Sequence, residues 1–245
     1  MALKALLTEI DSLKGQLEGH FPLAPQLQKD IREDWEITHT YHSNAIEGNT
    51  LTLGETKAVL LDGITISGKS LREHLEAVNH REAMRLMTRL SELDSPIKES
   101  EILDLHRIIQ TGIQSEDAGR YRSVRVRVAG SMRIFPNPLK VPELMSEFVE
   151  GLSSFEGHPV LKAAKAHYEL VAIHPFVDGN GRTARLLMNL LLLKAGYIPA
   201  LLAVEERGRY YDTLEAANSG DRLPFEMLIA EAVKASLLRM TEVLS

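Results

Sequence analysis

The densest group of side chains that could do chemistry lies between His174 and Arg185, in the sequence HPFVDGNGRTAR. Pro175 stops the apolar segment before it, which leaves His174 at the exit of a predicted helix. A histidine has the resting pKa that suits removal of a hydroxyl proton near neutral pH. Asp178 offers the hard oxygen ligand that Mg²⁺ prefers. These residues predict a general base and a metal ligand in one loop.

The second half of the same segment is suited to an anion. Gly179, Asn180 and Gly181 run into an apolar helix that begins near Arg182, and glycines at a helix start let backbone N–H groups turn towards an anion. Arg182 and Arg185 lie on one face of the first turn, so both can bind phosphate oxygens. Taken singly, each residue fits an ordinary turn or a solvated surface. The full set, at the start of a helix, predicts a phosphate-transfer site.

Apolar residues recur at helical spacing over most of the chain, so an all-α domain is predicted. Thr52 and Ser70 each begin a capping box, which marks the start of a helix. We expect residues 1–50 to form N-terminal helices and 51–245 to form the core with its flanking helices, as one compact unit. The predicted helices cover 3–17, 25–47, 57–61, 71–93, 97–110, 141–152, 160–173, 182–195, 205–217 and 224–244.

One segment alternates as a strand does. Val124, Val126 and Val128 share one face, and Gly130 with Ser131 follows, which predicts a β-hairpin. The alternative is a basic nucleic-acid patch, because five arginines occur between positions 120 and 133. The alternation with valines favours an edge strand with solvated arginines.

The composition is that of a globular chain, with 44% hydrophobic and 25% charged residues. A formal net charge of −6 argues against general nucleic-acid binding, which leaves a basic footprint. Because the chain has no cysteine, any metal must be held by oxygen or nitrogen. No apolar run is long enough to span a membrane, and the N-terminus lacks the features of a signal peptide. A cytoplasmic location without membrane contact is expected.

The segment from His174 to Arg185 resembles the Fic family signature, HPFx[DE]GNGRxxR, at every position. The resemblance extends from about Trp35 to Ile229, and it includes Gly119 to Arg122 before the alternating valines and Tyr210 to Asp221 after the motif. It implies an all-α Fic domain with one β-hairpin flap, formed by the alternating valines, that aligns a target segment by adding a strand. It also implies transfer of AMP from ATP to a Ser, Thr or Tyr hydroxyl of a target protein.

The resemblance also implies a role for each site residue. His174 would be the general base, and Asp178 would hold Mg²⁺ or Mn²⁺. The backbone of 179–181 would cradle the α- and β-phosphates, with Arg182 towards the β-phosphate and Arg185 at the γ-phosphate. Two residues seven apart on a predicted helix resemble the family's adenine contacts, and they are Tyr211 and Asn218. For Tyr211, a core aromatic is an equal alternative.

The segment from Ser43 to Gly48, at the end of the second predicted helix, resembles a second family motif, [ST]xxxE[GN]. Ser43 and Glu47 are four apart and point the same way. The resemblance implies that Glu47 inhibits transfer by pairing with Arg185, which could then no longer hold the γ-phosphate productively. The alternative is a solvated glutamate at a helix end.

Residues 63–70 match the P-loop pattern GxxxxGK[ST]. A P-loop follows a buried strand, whereas the capping box at Thr52 predicts a helix before this segment. A connection between two helices is therefore the better interpretation.

Three functions stay open. The first is an auto-inhibited AMP transferase. The second is an enzyme that chiefly removes AMP from a modified protein, with Glu47 placing the attacking water. The third is a non-catalytic nucleotide-binding regulator, which would not need His174. A homodimer through the predicted helix 71–93 or through the N-terminal apolar stripe is also left open.

Overall fold

The computed structural model describes residues 1–127 and 133–244. Ten α-helices are found in these two ranges, and they contain no strand. They are α1 (Ala2–Glu18), α2 (Pro25–Ile46), α3 (Leu53–Lys57), α4 (Leu71–Ser91), α5 (Glu99–Gln110), α6 (Val141–Ser153), α7 (Pro159–Ile173), α8 (Asn180–Lys194), α9 (Arg207–Asn218) and α10 (Leu223–Leu244). A π-helical turn, Ala58–Asp62, extends α3, and short 3₁₀ turns at Pro138–Lys140 and Val204–Glu206 precede α6 and α9.

The predicted helices are confirmed to within a few residues. Both capping boxes form: the Thr52 hydroxyl accepts from the Glu55 N–H at 3.2 Å, and the Ser70 hydroxyl accepts from the Glu73 N–H at 3.2 Å. Helix α1 continues through Gly15 to Glu18.

Helix α8 lies at the centre of the fold. Its side chains from Arg182 to Leu192 are all buried, which is expected of a helix that is apolar around most of its surface. It packs against α7 on one side and against α4 and α5 on others, while α1 packs on α10. Helix α8 is therefore held by three neighbouring helices, and the segment from His174 to Gly181 leads into it.

The predicted hairpin is not found in the part of it that the structure describes. Residues 121–127 and 133–137 form no strand, and the remaining residues, Val128 included, lie outside the described ranges. The side chain of Arg122 joins the two arms, because its guanidinium donates to the carbonyl oxygens of Val124 at 3.0 Å and Pro136 at 2.7 Å. A side chain thus makes the link that a ladder was predicted to make.

The segment that matches the P-loop pattern connects the π-helical turn to α4, as predicted. Gly63 ends the turn in the left-handed conformation, with a φ of 65°. Lys69 donates to the backbone carbonyl of Thr50 at 2.5 Å and to its hydroxyl at 3.0 Å. This lysine therefore ties two loops together. Among the described helices, none combines the length and apolarity that crossing a membrane requires.

Candidate active site

His174 follows the last residue of α7 and turns the chain into the loop. It has φ 52° and ψ 59°, and it is the only non-glycine residue with positive φ in the described ranges. Its Nδ1 lies 3.4 Å from the Val171 carbonyl oxygen, which favours a proton on Nδ1 and leaves Nε2 as an acceptor. Burial lowers the pKa of His174 to about 4, and the Arg122 charge acts in the same direction. The imidazole is therefore neutral at pH 7, as a general base must be.

Arg122 holds His174 in this position. Its Nε donates to the His174 carbonyl oxygen at 2.7 Å, and its backbone N–H donates to the Pro175 carbonyl oxygen at 2.9 Å. The side chain is almost fully buried, and its other two nitrogens bind the carbonyl oxygens of Val124 and Pro136. One guanidinium thus connects the exit of α7 to both arms of the predicted flap.

The loop is closed by its own asparagine. The Asn180 side chain accepts from the Phe176 N–H and donates to the Phe176 carbonyl oxygen, both at 3.0 Å. Gly179 has a φ of 77°, and a Cβ at this position would lie 2.7 Å from the Gln110 amide nitrogen, so only glycine fits. The backbone N–H groups of the first turn of α8 have no acceptor inside the helix. They are the donors that an anion at this terminus would use.

His106 supports the loop from α5. Its Nδ1 accepts a hydrogen bond from the Gly119 N–H, and its Nε2 is within hydrogen-bond distance of the Asp178 carbonyl oxygen, each at 3.0 Å. Because Nδ1 accepts, the ring is neutral with its proton on Nε2. The imidazole also stacks on the Phe176 ring with centroids 3.6 Å apart. Burial lowers the pKa of His106 to about 4, so this link persists at neutral pH.

Asp178 lies among cations. Its carboxylate accepts from the Gly179 N–H at 2.6 Å and from Arg72 Nη2 at 2.7 Å, and Arg182 Nη2 is 3.6 Å away. Burial by itself would raise the pKa of Asp178, but Arg182, this N–H and Arg72 together lower it. Glu76 bridges the two guanidiniums, at 3.1 Å from Arg72 and 3.3 Å from Arg182. The carboxylate is therefore ionised and presented at the loop.

Arg185 has a complete set of acceptors. Its Nε donates to the Ser43 hydroxyl at 3.0 Å, and Nη2 donates to the Ser43 carbonyl oxygen at 2.9 Å and to Glu47 Oε1 at 2.7 Å. Its Nη1 lies 3.3 Å from the Tyr210 hydroxyl. Burial would lower the pKa of Arg185, yet the Glu47 carboxylate and the Tyr210 phenol raise it. The contact that the sequence predicted between Glu47 and Arg185 is present.

The end of α2 places Glu47 for this contact. Gly48 turns the chain with a φ of 98°, which a glycine adopts readily. Arg207 Nε donates to the Ile46 carbonyl oxygen at 2.8 Å, and a cation at a helix C-terminus is favourable. Asn44 donates to the Glu76 carbonyl oxygen at 3.1 Å, which ties the same turn to α4.

The carboxylate of Glu47 covers Gly181. A Cβ added to Gly181 would overlap Oε1 of Glu47 and lie 3.2 Å from Nη1 of Arg185. The first turn of α8 therefore has an anion against it, and this anion comes from the protein itself.

Comparison with known proteins identifies the family. A family model described as the Fic/DOC family matches residues 96–192. A solved fragment of Fic-1 from Caenorhabditis elegans has a TM-score of 0.87 and 37% identity, over 98% of this chain and 71% of that chain. The chain belongs to the Fic/DOC family.

Other Fic relatives are similar over nearly the whole chain. Protein adenylyltransferase fic-1 of C. elegans is 39% identical over 242 residues, which are 96% of this chain and 47% of that protein. A Fic domain containing signaling protein from Bacteroides thetaiotaomicron is 28% identical with a TM-score of 0.87, over 98% of this chain and 97% of that chain. The chain spans about half the length of the curated relatives it matches.

The structure brings most of the predicted Fic site residues together. His174, Asp178, Gly179–Gly181, Arg182 and Arg185 form one loop and helix start, and Ser43 and Glu47 lie against Arg185. Tyr211 is half-buried beside this cluster, with its hydroxyl 3.5 Å from the Ile46 carbonyl oxygen. Of the two adjacent tyrosines, Tyr210 is the one in the core, where it is buried against His167. Asn218 is the exposed last residue of α9, and an adenine role for it stays a prediction.

Four supporting residues of the Fic site were missed from the sequence: Arg72, Glu76, His106 and Arg122. The capping box at Ser70 placed Arg72 and Glu76 one turn apart on α4, but nothing in their spacing pointed to Asp178. Arg122 belongs to a segment, Gly119 to Arg122, that resembles the family, so its burial could have been suspected.

The residues present fit a nucleotide with a divalent cation. Arg182 is 2% exposed, and its Nε and Nη1 are buried with no hydrogen-bond acceptor in the described residues, although Glu76 lies 3.3 Å from Nη1. Unmet donors of this kind suit phosphate oxygens. The described residues hold no cluster of three side chains that would by itself bind a metal. Asp178 would be the single protein ligand, and Mg²⁺ is commonly bound by one carboxylate together with substrate phosphates.

Proposed function

We propose that the chain is an auto-inhibited protein adenylyltransferase, which transfers AMP from ATP to a Ser, Thr or Tyr hydroxyl of another protein. The observation that carries the proposal is the Glu47 carboxylate over Gly181 and against Arg185, beside a neutral His174. A carboxylate held in an anion-binding turn is what an intramolecular competitor of a phosphate requires. The relatives called protein adenylyltransferase support the reaction class.

In the proposed transfer, the target hydroxyl gives its proton to Nε2 of His174 while its oxygen attacks the α-phosphorus. The bond from that phosphorus to the pyrophosphate oxygen breaks, and pyrophosphate leaves. The backbone N–H groups of Gly181 and its neighbours and the Arg182 guanidinium stabilise the charge that develops on the phosphates. Mg²⁺ or Mn²⁺ held by Asp178 would neutralise part of the phosphate charge.

Two further parts of the proposal concern binding. The segment with Val124 and Val126 would receive an extended stretch of the target through its backbone, positioned by Arg122. Tyr211 and Asn218 would contact adenine on α9. The cytoplasmic location and a homodimer are likewise proposals.

A second candidate, removal of AMP from a modified protein, is favoured by one observation. Only Oε1 of Glu47 contacts Arg185, and no hydrogen bond to Oε2 is found in the described residues, in a side chain that is 31% exposed. Oε2 is therefore free to accept from a water molecule. Such a water could attack the phosphodiester, and the products would be AMP and the original hydroxyl.

One experiment separates the candidates. The Glu47→Gly variant is incubated with α-labelled ATP, Mg²⁺ and an excess of the His174→Ala variant, which serves as a substrate that cannot modify itself. Label on protein establishes transfer. The labelled His174→Ala protein is then purified and given to the unaltered chain, and release of labelled AMP establishes hydrolysis. No label on protein in the first step would contradict transfer, and labelled protein that keeps its AMP in the second step would contradict hydrolysis.

A further inference from the structure

A cavity that does not include the residues of the candidate active site lies beside α2. It has a volume of about 720 Å³, opens to solvent, and is lined by α2, α10, the segment 199–206 and Arg209 of α9. None of the residues from His174 to Arg185 lines it. Small-molecule sites occupy about 300–1,000 Å³, so the volume is that of a ligand site.

The walls of this rear cavity are apolar. Helix α2, helix α10 and the segment 199–206 each contribute apolar side chains. The main ones are Ile31, Trp35, Leu201, Ala203, Ala235 and Met240. A ligand with an apolar body would lose unfavourable contact with water here.

One buried polar side chain in the rear cavity has no partner. His39 lines the cavity with 8% of its surface exposed, and its ring makes no hydrogen bond within the described residues. Nearby histidines differ, since the His42 ring accepts from the Val204 N–H at 3.1 Å and the His80 ring meets the Thr40 hydroxyl at 3.1 Å. Burial lowers the pKa of His39 to about 3, so the ring is neutral and offers one donor and one acceptor. Neither ring nitrogen of His39 is among the fully buried polar atoms that lack a partner, so water in the cavity can reach the ring, and a polar ligand atom could replace that water.

The rim of the rear cavity is acidic. Four carboxylates and two guanidiniums line it, and both guanidiniums are already paired. Arg209 binds Glu206 at 3.2 Å and Glu231 at 2.5 Å, while Arg239 binds Asp34 at 3.1 Å. The fourth carboxylate, Asp30, accepts only from the neutral amide of Gln26, at 2.7 Å. The excess of two negative charges favours a cationic ligand.

We propose that the rear cavity binds a small amphipathic amine: its apolar body packs between α2 and α10, an acceptor atom takes the His39 N–H, and its ammonium group lies at the carboxylate rim. The site is separate from the nucleotide site, so it stands whether or not the proposed transfer is correct.

The sole tryptophan of the chain reports on this site. Trp35 lines the rear cavity, and no other tryptophan contributes to the fluorescence. The probe is diphenhydramine, which has two phenyl rings, an ether oxygen and an amine. Its matched anion is diphenylmethoxyacetate, which keeps the rings and the ether. We expect a saturable change of Trp35 emission with diphenhydramine, and an affinity roughly fivefold or more lower for the anion.

Variants test the location. Ala235→Phe places a ring in the cavity and should abolish the saturable change, whereas Leu238→Phe, on the exposed side of the same helix and outside the lining, should not. His39→Leu should weaken diphenhydramine about three- to tenfold, and His39→Gln, which retains a donor, should restore most of the affinity. Calorimetry on the same variants gives an independent dissociation constant, so the His39 pair decides the question if Ala235→Phe does not fold. No saturable binding, equal affinity for the anion, or no loss in both Ala235→Phe and His39→Leu would overturn the proposal.

Discussion

Arg182 and Arg185 lie one turn apart at the start of α8, and both are buried, yet their surroundings differ. Arg185 belongs to what we name the Glu47 half, with Ser43, Glu47 and Tyr210, where each of its three side-chain nitrogens has an acceptor. Arg182 belongs to the Asp178 half, with Arg72, Glu76 and Asp178, where its Nε and Nη1 make no hydrogen bond.

In the proposed enzyme, this difference separates regulation from binding within a single helical turn. A buried guanidinium with unmet donors is costly, and an arriving phosphate relieves that cost. The Glu47 half already contains its anion, so a phosphate gains little there until Glu47 leaves. Removing a carboxylate from the Glu47 half should therefore add activity, and disturbing the Asp178 half should change cation and phosphate binding.

The largest expected effect comes from removing the group that both halves serve. In the Glu47→Gly background, His174→Ala should lower AMP transfer about 10²–10⁴-fold, because the proposed general base is lost. Nucleotide binding should persist, since the loop and the arginines remain. Label incorporation and calorimetry with ATP are measured on the same samples. Transfer at the rate of the single variant would rule out His174 as the base.

The next effect tests the Glu47 half directly. Glu47→Gly should raise transfer by about 5–150-fold, because two anions no longer compete for Arg185. Glu47→Gln keeps the shape of the side chain without its charge, so it should raise transfer above that of the unaltered chain but less than Glu47→Gly does. Glu33→Gly, an exposed glutamate on the same helix, is the matched control. Equal labelling by the unaltered chain and Glu47→Gly would mean that Glu47 does not inhibit.

The two halves were not equally predictable from the sequence. Part of the Glu47 half could be anticipated, because Ser43 and Glu47 share a helix face and belong to one motif, and the family resemblance implies Arg185 as the partner of Glu47. The Asp178 half could not, because Arg72 reaches Asp178 from a helix that begins more than 100 residues earlier. Helical periodicity shows which residues share a face, but it does not show which other helix that face meets.

The helices themselves followed from capping and periodicity, while the described part of the flap, residues 121–127 and 133–137, lacks the predicted strands. The alternation of Val124 and Val126 predicted pairing between strands, and a strand needs a partner whose backbone is free to bond. Pro136 lacks an N–H in the returning arm, and the guanidinium of Arg122 donates to a carbonyl oxygen in each arm. A buried arginine that links two segments through its side chain leaves no periodic pattern in the sequence, so it could not be predicted.

The third effect concerns the histidines behind Arg185. Burial, with Arg185 as a further cause, lowers the pKa of His80 and His167 well below its ordinary value. In the unfolded chain each of these histidines takes up a proton below about pH 6.5, whereas in the folded protein it stays neutral. The free energy of unfolding is therefore highest above about pH 6.5. It decreases below that pH by at most about 1.4 kcal/mol per pH unit for each histidine.

His167→Gln should therefore reduce the loss of unfolding free energy between pH 7 and pH 5, although the variant itself loses packing at both values. Urea unfolding at the two pH values measures the difference within each protein. Exposed His20→Gln is the control. A pH dependence of His167→Gln that equals that of the unaltered chain would show that His167 is not held neutral.

The smallest effect tests the Asp178 half. Arg72 binds the Asp178 carboxylate at 2.7 Å and is 52% exposed, so the pair is worth only about 0.2–1 kcal/mol. A divalent cation at Asp178 must compete with this guanidinium, and Arg72→Ala should therefore tighten Mn²⁺ binding in the presence of ADP by up to about fivefold. Electron paramagnetic resonance of free Mn²⁺ measures the binding without any turnover.

Two variants serve as controls. Arg85 is on α4, as Arg72 is, and it forms a comparable ion pair with Glu36 of α2, so Arg85→Ala should leave the Mn²⁺ affinity unchanged. Asp178→Asn should abolish the effect of Arg72→Ala. Weaker Mn²⁺ binding in Arg72→Ala would mean that Arg72 supports the nucleotide and does not compete with the cation, and the contrast between the two halves would then rest on Arg182 alone.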